Sequence, residues 1–235
     1  MSVTEKFFVP GFSMVAHAEE IAQQVSPPAI DMIPRYAAWA KRSDTWLTST
    51  LSLDERIVEM MTTPASLTQR PELRYLHPTV QQISIHGNPY VKDASASPEL
   101  IEHVRNIVAF NRKLIPQFAA ASVPIVAGTD ALNPGVVPGF SLHDELVALV
   151  QAGLTAQQAL EAATRRPAEF LGTIEDRGVI APGKRADLVM LDANPLENIA
   201  NTRRIAGVIV NGMFYSRTEL NARMQSLQRA NAVSQ

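Results

Sequence analysis

The sequence predicts an α/β fold built on a parallel sheet, followed by a smaller β module. Strand and helix patterns alternate along the first part of the chain, which is typical of parallel strands joined by helices. Residues 123–127 form a continuous apolar run, as expected of a strand buried on both faces. After Gly172 the pattern changes to short strands separated by turns. Three strand–helix units predict only part of a barrel, because a closed α/β barrel needs eight of them.

The composition is that of an ordinary globular protein. Of the 235 residues, 46% are hydrophobic and 19% are charged, which allows a sizeable core. The formal net charge of −2 comes from scattered side chains, so we expect no nucleic-acid-binding face. No apolar run approaches the roughly 20 residues that span a bilayer. The first residues do not resemble a secretory signal, and we therefore expect a cytoplasmic protein without a membrane partner.

The first half of the chain predicts two strand–helix units and then an irregular excursion. A short apolar strand at 12–16 runs directly into His17. The elements that follow are a helix at 29–42 whose start Pro34 delays, a strand at 45–53, a helix at 54–62, and a Pro-rich irregular segment at 63–98. An irregular segment of this length is more often functional than accidental, which leaves open a binding role for it.

The second half predicts the third unit and then the β module. A helix at 99–121 should be kinked or ended by Pro116, and the apolar strand at 123–127 leads to Asp130. Later helices are expected to start at Ser141, at a capping box opened by Thr155, and at Pro167. Short strands are expected at 178–180, 186–191, 205–211 and 213–216, with the strong hairpin signal Asn211-Gly212 between the last two.

The available side chains restrict the chemistry. There are no cysteines, so disulfides, thiolate zinc sites and cysteine nucleophiles are excluded, and any metal must be held by His and carboxylates. The sequence has no Gly-x-Ser-x-Gly elbow, no phosphate-binding Gly-rich loop and no His-Glu-x-x-His motif. Of the five histidines, His77, His86 and His103 lie in or beside the irregular segment and are not expected to be ligands.

Two residues are expected at the carboxyl ends of parallel strands, where α/β proteins gather reactive groups. These are His17 and Asp130, a donor pair that suits a divalent metal such as zinc and metal-assisted hydrolysis. From spacing alone, Asp130 could equally cap a turn, and His17 could pack against the following helix. His143 lies in a helical first turn, where a surface or packing role is the simpler interpretation. Adjacent Glu19 and Glu20 point apart in a helix and do not form a facing acid–base pair.

Several segments resemble the amidohydrolase superfamily, in particular its imidazolonepropionase-like branch. Residues 124–131 (Pro-Ile-Val-Ala-Gly-Thr-Asp-Ala) resemble the eighth barrel strand of that family, and residues 137–146 and 152–164 are similar to the helices after it. Residues 178–195 resemble the return of the chain into the family's β-sandwich. Residues 15–20 and 45–51 match the sixth and seventh strands less sharply.

This resemblance implies the C-terminal part of a TIM (β/α)8-type barrel, about strands six to eight with their helices, and a small β-sandwich portion. The chain then divides into a partial barrel at 1–172, a β-sandwich segment at 173–216 and a C-terminal helix or tail at 217–235. His17 becomes a metal ligand, and Asp130 becomes both a metal ligand and the catalytic base. His143 becomes a candidate for supporting the metal ligands without touching the ion.

The implied function is a metal-dependent hydrolase acting on C–N bonds of small amide-like or cyclic amide substrates, with zinc as the expected ion. Family ligands on the first, fourth and fifth strands have no counterpart in this chain, and two ligands are fewer than the three that a catalytic zinc usually has. A half-barrel also leaves a strand edge exposed. We therefore expect a homo-oligomer or a complementary N-terminal half. The alternative is a truncated, non-catalytic half-barrel that serves as an interaction subunit.

Overall fold

The computed structural model describes residues 4–94 and 97–233. Its first sheet consists of three short parallel strands, β1 (Met14–Val15), β2 (Trp46–Thr48) and β3 (Ile125–Val126). Strand β2 lies in the middle, and Leu47 is aligned with Val15 on one side and with Ile125 on the other. The predicted alternation of strand and helix is therefore confirmed as an α/β fold with a parallel sheet.

Helices connect and cover these strands. Their bounds are α1 (Glu19–Ala22), α2 (Ile33–Ser43), α3 (Leu51–Thr62), α4 (Ala65–Thr68), α5 (Pro78–Ile85), α6 (Pro89–Ala94), α7 (Pro98–Ala120), α8 (Phe140–Gln151), α9 (Ala156–Ala163), α10 (Arg165–Phe170) and α11 (Arg217–Val233). Short 3₁₀ segments lie at Thr4–Phe7, Ile30–Met32, Pro71–Tyr75 and Ile199–Arg203.

The main core lies between the parallel sheet and helices α2, α7 and α8. Leu47 of β2, Phe110 and Leu114 of α7, and Leu149 of α8 are completely buried there. This single apolar cluster fixes the three strands relative to the helices that connect them, so the ends of the strands are held on a packed base.

The predicted strand at 45–53 is wrong in its second half. Extended structure ends at Thr48, and α3 begins at Leu51. The two are joined by a turn in which Thr50 has a left-handed φ of 51°. The apolar and β-branched residues of this segment favour a strand, but the buried carboxylate of Glu145 accepts hydrogen bonds from the backbone N–H groups of Leu51 and Ser52 and stabilises a helix start instead.

Prolines behave differently from the prediction in two places. Helix α7 continues through Pro116 to Ala120, because the residues around it, such as Ile115 and Phe118, are buried in the core. The segment predicted as irregular at 63–98 contains three short helices and a 3₁₀ turn. Several of these begin at a proline, as at Pro78 and Pro89, since the first turn of a helix does not use the missing N–H.

A second, antiparallel sheet contains β4 (Leu188–Leu191), β5 (Ile205–Val210) and β6 (Met213–Ser216) in that order. The predicted hairpin at Asn211-Gly212 is confirmed, and both residues have the positive φ that such a turn requires. The strand predicted at 178–180 is wrong, because residues 178 and 179 lie in a bend and Gly178 has a positive φ of 93°. In the described chain this sheet is a single layer.

Helix α11 returns to the first part of the chain. It packs on the 3₁₀ segment Pro71–Tyr75, where the Asn231 side chain donates to the Tyr75 carbonyl at 3.0 Å. The three-part division of the chain at residues 172 and 216 stays a prediction. No helix among the described residues is both long and apolar enough to cross a bilayer.

Candidate active site

Parallel pairing brings the carboxyl ends of the three strands to one edge of the sheet. His17 follows β1, Thr50 follows β2 and Asp130 follows β3. Neither His17 nor Asp130 lies within a helix or strand, so both are held by short turns on the packed base of the sheet. The two predicted ligands thus lie at the same end of the same sheet, separated by the end of β2.

His17 contacts the middle strand end directly. Its Nδ1 lies 3.3 Å from Oγ1 of Thr50, a residue with only 1% of its surface exposed. The Thr50 hydroxyl in turn donates to the Ser49 carbonyl at 2.9 Å. The His17 ring is half-buried, and it is held on one side by this contact.

Gly128, just after β3, allows the chain to pass close to Thr48 and Thr50 at the end of β2. A Cβ at this position would lie 2.2 Å from Cγ2 of Thr48 and 3.3 Å from Cγ2 of Thr50. No real side chain fits within the first distance, so only glycine allows the chain to pass here on its way to Asp130.

Asp130 is exposed and has a left-handed φ of 47°. The Asn133 amide donates to its Oδ2 at 2.6 Å and to its carbonyl at 3.2 Å. The Tyr90 hydroxyl lies 3.4 Å from the Asn133 side-chain oxygen, so Tyr90, Asn133 and Asp130 form a small hydrogen-bonded network. Among the described residues, Oδ1 of Asp130 makes no hydrogen bond. One carboxylate oxygen of this exposed residue is therefore oriented by the protein.

Two further carboxyl groups, those of Asp54 and Glu19, lie beside this hydrogen-bonded network. Asp54 is buried, hydrogen-bonds to Glu19, and accepts a hydrogen bond from the Asn111 side chain at 2.7 Å. Burial first, and then the interaction with Glu19, raise the pKa of Asp54 well above its usual range. Burial, followed by the charges of Glu19 and Asp130, likewise raises the pKa of Tyr90.

The turn that carries Thr50 is held by a carboxyl group from α8. Glu145 is completely buried, and it accepts hydrogen bonds from the Ser49 hydroxyl and from the N–H groups of Leu51, at 3.1 Å, and Ser52, at 2.7 Å. Burial raises the pKa of Glu145, and these hydrogen bonds oppose the rise. A carboxyl group at the first N–H groups of a helix is favourably placed for the helix dipole.

His143 lies apart from these contacts. Its Nδ1 is 3.0 Å from Oγ1 of Thr202, in the 3₁₀ segment that precedes β5. Burial, and then the nearby charge of Arg203, lower the pKa of His143. The hydrogen bond of this ring is made to the segment leading into the second sheet, and its role in supporting a metal ligand stays a prediction.

The donor set was tested against the divalent metal that the resemblance implies. No group of three or more His, Asp or Glu side chains within the described ranges could hold an ion by itself. His17 and Asp130 are donors of the right type for zinc, which takes imidazole nitrogen and carboxylate oxygen, but they are fewer than a usual catalytic set. These two side chains are therefore of a type that fits such a metal, and their role as ligands stays a prediction.

Sequence reasoning missed several residues of this site. Asn133 lies three residues after Asp130 in a turn motif, and its side-chain contact was within reach of local reasoning. Glu19 was considered only in relation to its neighbour Glu20, whereas in the structure it interacts with Asp54. No local signal identifies Asp54 or Glu145, because their partners are distant along the chain.

Comparison with known sequences decides the family. Residues 10–214, most of the chain, match the sequence model described as the amidohydrolase family. The chain belongs to the amidohydrolase family. The predicted resemblance to this family is thereby confirmed.

The curated relatives of this amidohydrolase are longer than the region they share with it. An imidazolonepropionase of Deinococcus deserti is 40% identical over 132 residues, which are 53% of this chain and 32% of that protein. An imidazolonepropionase of Photorhabdus laumondii is 37% identical over 113 residues, 44% of this chain and 26% of that protein. The chain thus matches about a third or less of the length of these relatives.

Solved structures confirm the fold. A bottromycin amidohydrolase superposes with a TM-score of 0.70 at 24% identity, over 97% of this chain and 51% of that one. The A. niger ochratoxinase superposes with a TM-score of 0.55 at 17% identity, over 88% of this chain and 37% of that one. At these identities the likeness establishes a shared α/β architecture.

Proposed function

We propose that this amidohydrolase takes part in metal-dependent hydrolysis of C–N bonds in amide-like or cyclic amide substrates. The observation that carries the proposal is the position of His17 and Asp130 after two strands of one parallel sheet, at the same end. The relatives named imidazolonepropionase favour a cyclic amide, since an imidazolone ring contains one.

Asp130 supplies the proton transfer. Asn133 holds one of its carboxylate oxygens, which leaves the other to accept a proton from the attacking water and to pass it to the departing amine. Its exposure allows a small substrate to approach. His17 and Asp130 would hold the ion, with zinc as the expected metal. A bound divalent ion lowers the pKa of its water and so supplies a nucleophile near neutral pH.

The remaining ligands would come from outside the described contacts. We place β1, β2 and β3 as the sixth to eighth strands of a (β/α)8 barrel, and the second sheet as part of a β-sandwich. In the part of the chain that the structure describes, strands β1 and β3 each pair on one side only, so each leaves an edge to which a further strand can pair. The proposed partner is a second copy of this chain or a chain that carries the first five strands.

The test combines metal analysis with hydrolysis of a panel of cyclic amides, imidazolones among them. The native particle should contain a stoichiometric divalent ion, and Asp130→Asn should lower kcat by about 10²- to 10⁴-fold, as expected for loss of a general base. His17→Gln should lower the metal content. Asp192→Asn, at an exposed carboxylate that follows β4 and pairs with Arg217 of α11, is the matched control and should leave both measurements unchanged.

The second candidate is a non-catalytic interaction subunit, which the lack of a three-donor group in the described chain favours. It predicts that Asp130→Asn leaves every measured property unchanged. Absence of a bound ion after reconstitution, together with an unaltered Asp130→Asn variant, would overturn the hydrolase proposal in favour of this one.

A further inference from the structure

The His17 ring contacts a hydroxyl whose own proton is already committed. Thr50 donates its hydroxyl proton to the Ser49 carbonyl, at 2.9 Å. The Thr50 oxygen can then only accept at its other contact, 3.3 Å away, and Nδ1 of His17 must carry the proton. A neutral imidazole protonated at Nδ1 has its lone pair at Nε2, since each neutral ring has one donor and one acceptor.

The direction of this hydrogen bond depends on the backbone of the turn at 49–52. Thr50 adopts a left-handed φ of 51°, which a β-branched residue takes only when its surroundings impose it. The contacts that impose this conformation come from Glu145. Its carboxyl group accepts hydrogen bonds from the Ser49 hydroxyl and from the N–H groups of Leu51 and Ser52, on both sides of Thr50. The four turn residues are all buried, so water does not replace these bonds.

We infer that Thr50 and Glu145 are positioning residues that select the Nδ1–H tautomer of His17 and thereby present Nε2 as the metal-binding nitrogen. Thr50 acts by accepting the Nδ1 proton, and Glu145 acts by holding the turn in which the Thr50 oxygen faces the ring. The inference deepens the proposed function and rests on it only for the use made of Nε2. Ring-orienting partners of this kind commonly change metal affinity by about 10- to 100-fold when removed.

Long-range ¹H–¹⁵N correlation spectra of the metal-free full chain test this, because they distinguish protonated from unprotonated ring nitrogens. Spectra are recorded well above the usual imidazole pKa of about 6.5, so that the ring is neutral. The His17 signals are assigned by their loss in His17→Gln. The wild-type ring should show Nδ1 protonated and Nε2 unprotonated. A dominant Nε2–H form in the wild type would overturn the inference without any variant.

Variants then separate the two positioning residues. Thr50→Val removes the acceptor and should shift the tautomer ratio by about tenfold toward Nε2–H, the size expected of one hydrogen bond, whereas Thr50→Ser should restore the wild-type ratio. Glu145→Gln should shift the ratio in the same direction. Asp144→Asn, in the same helical turn but bonded to Arg70 and Arg203, is the control and should not. An unchanged ratio in Thr50→Val, or equal shifts in Glu145→Gln and Asp144→Asn, would overturn the assignment.

These outcomes are independent of catalysis. A protein that shows the Nδ1–H tautomer but takes up no metal and hydrolyses nothing would refute the proposed function and leave the ring positioning intact. A protein that hydrolyses amides with an Nε2–H ring would do the opposite.

Discussion

Two carboxyl groups, Asp54 and Glu145, are buried beneath the strand ends, and each is stabilised by hydrogen bonds. Desolvation of the charged form raises the pKa of both groups. Asp54 accepts a hydrogen bond from the Asn111 amide and interacts with Glu19. Glu145 accepts hydrogen bonds from two backbone N–H groups and from a hydroxyl. Burial of this kind makes the folded state sensitive to pH, because the proton is bound more tightly in the fold than in the unfolded chain.

Asp54→Asn tests this sensitivity. The folded pKa of Asp54 lies above its unfolded value of about 3.9, so the folded chain binds more protons and stability falls as pH rises from about 4 toward the folded value. The variant cannot ionise there. Its unfolding free energy should therefore improve relative to the wild type over that range, by at most about 1.4 kcal/mol per pH unit. Urea unfolding at a series of pH values measures the difference.

Asp187→Asn is a control in which the expected effect of pH on stability has the opposite sign. A hydrogen bond from the Asn211 N–H lowers the pKa of this exposed carboxylate. Its contribution is present above the unfolded pKa and is lost as pH falls through the folded pKa, so the wild type should lose its advantage over this variant in acid. Parallel stability curves for the wild type and Asp54→Asn would show that the buried carboxyl is not the source of the pH dependence.

At the scale of the element, local patterns predicted what local interactions determine. The apolar run before Asp130 predicted a strand, and Asn211-Gly212 predicted a hairpin, because each signal is contained in a few neighbouring residues. The end of β2 could not be predicted in this way. The residues after Thr48 favour extended structure, and the carboxyl group that turns them into a helix start comes from Glu145, more than ninety residues later.

The close approach of Gly128, just after β3, to Thr48 of β2 gives a prediction at this scale. Gly128→Ala should destabilise the protein by about 1–3 kcal/mol, the usual cost of overpacking, because the new Cβ would collide with Cγ2 of Thr48. Thr48→Ser removes that methyl group and keeps the hydroxyl. The double variant should therefore recover most of the loss in a thermal unfolding cycle. Simple additivity of the two single changes would contradict a direct contact.

In the site, too, some features could be predicted from neighbouring residues, whereas others depend on residues far apart in the sequence. The strand-end positions of His17 and Asp130 followed from the order of strands and helices along the sequence. The residues around them did not, since Asp54 meets Asn111 57 residues away and Tyr90 reaches Asn133 43 residues away. Such contacts depend on how the helices pack and leave no periodic pattern in the sequence.

At the scale of the whole molecule, the second sheet has apolar side chains that the described chain does not cover. Met190 is 48% exposed and Phe214 is 53% exposed, and the strand register places both on the same face of the sheet. Exposed apolar faces next to unpaired strand edges favour association.

Sedimentation analysis should therefore show a particle heavier than the 25.7 kDa chain. The fraction of the protein in this heavier particle should rise with protein concentration. Met190→Lys should shift the distribution toward the single chain, because a charged side chain is costly to bury in an apolar contact. Leu227→Lys, at an exposed position on α11, is the matched control and should have no such effect. A single species at 25.7 kDa across all concentrations would contradict self-association.

Near the start of α8, one helical turn sends three consecutive side chains to distant parts of the chain. His143 meets Thr202, Asp144 pairs with Arg70 and Arg203, and Glu145 binds the turn after β2. Unfolding of this one helical turn would break all three sets of contacts at once. The amide hydrogens of that turn and those of Ile199–Arg203 should consequently exchange with deuterium as a single cooperative unit, although His143 and Thr202 are 59 residues apart along the chain.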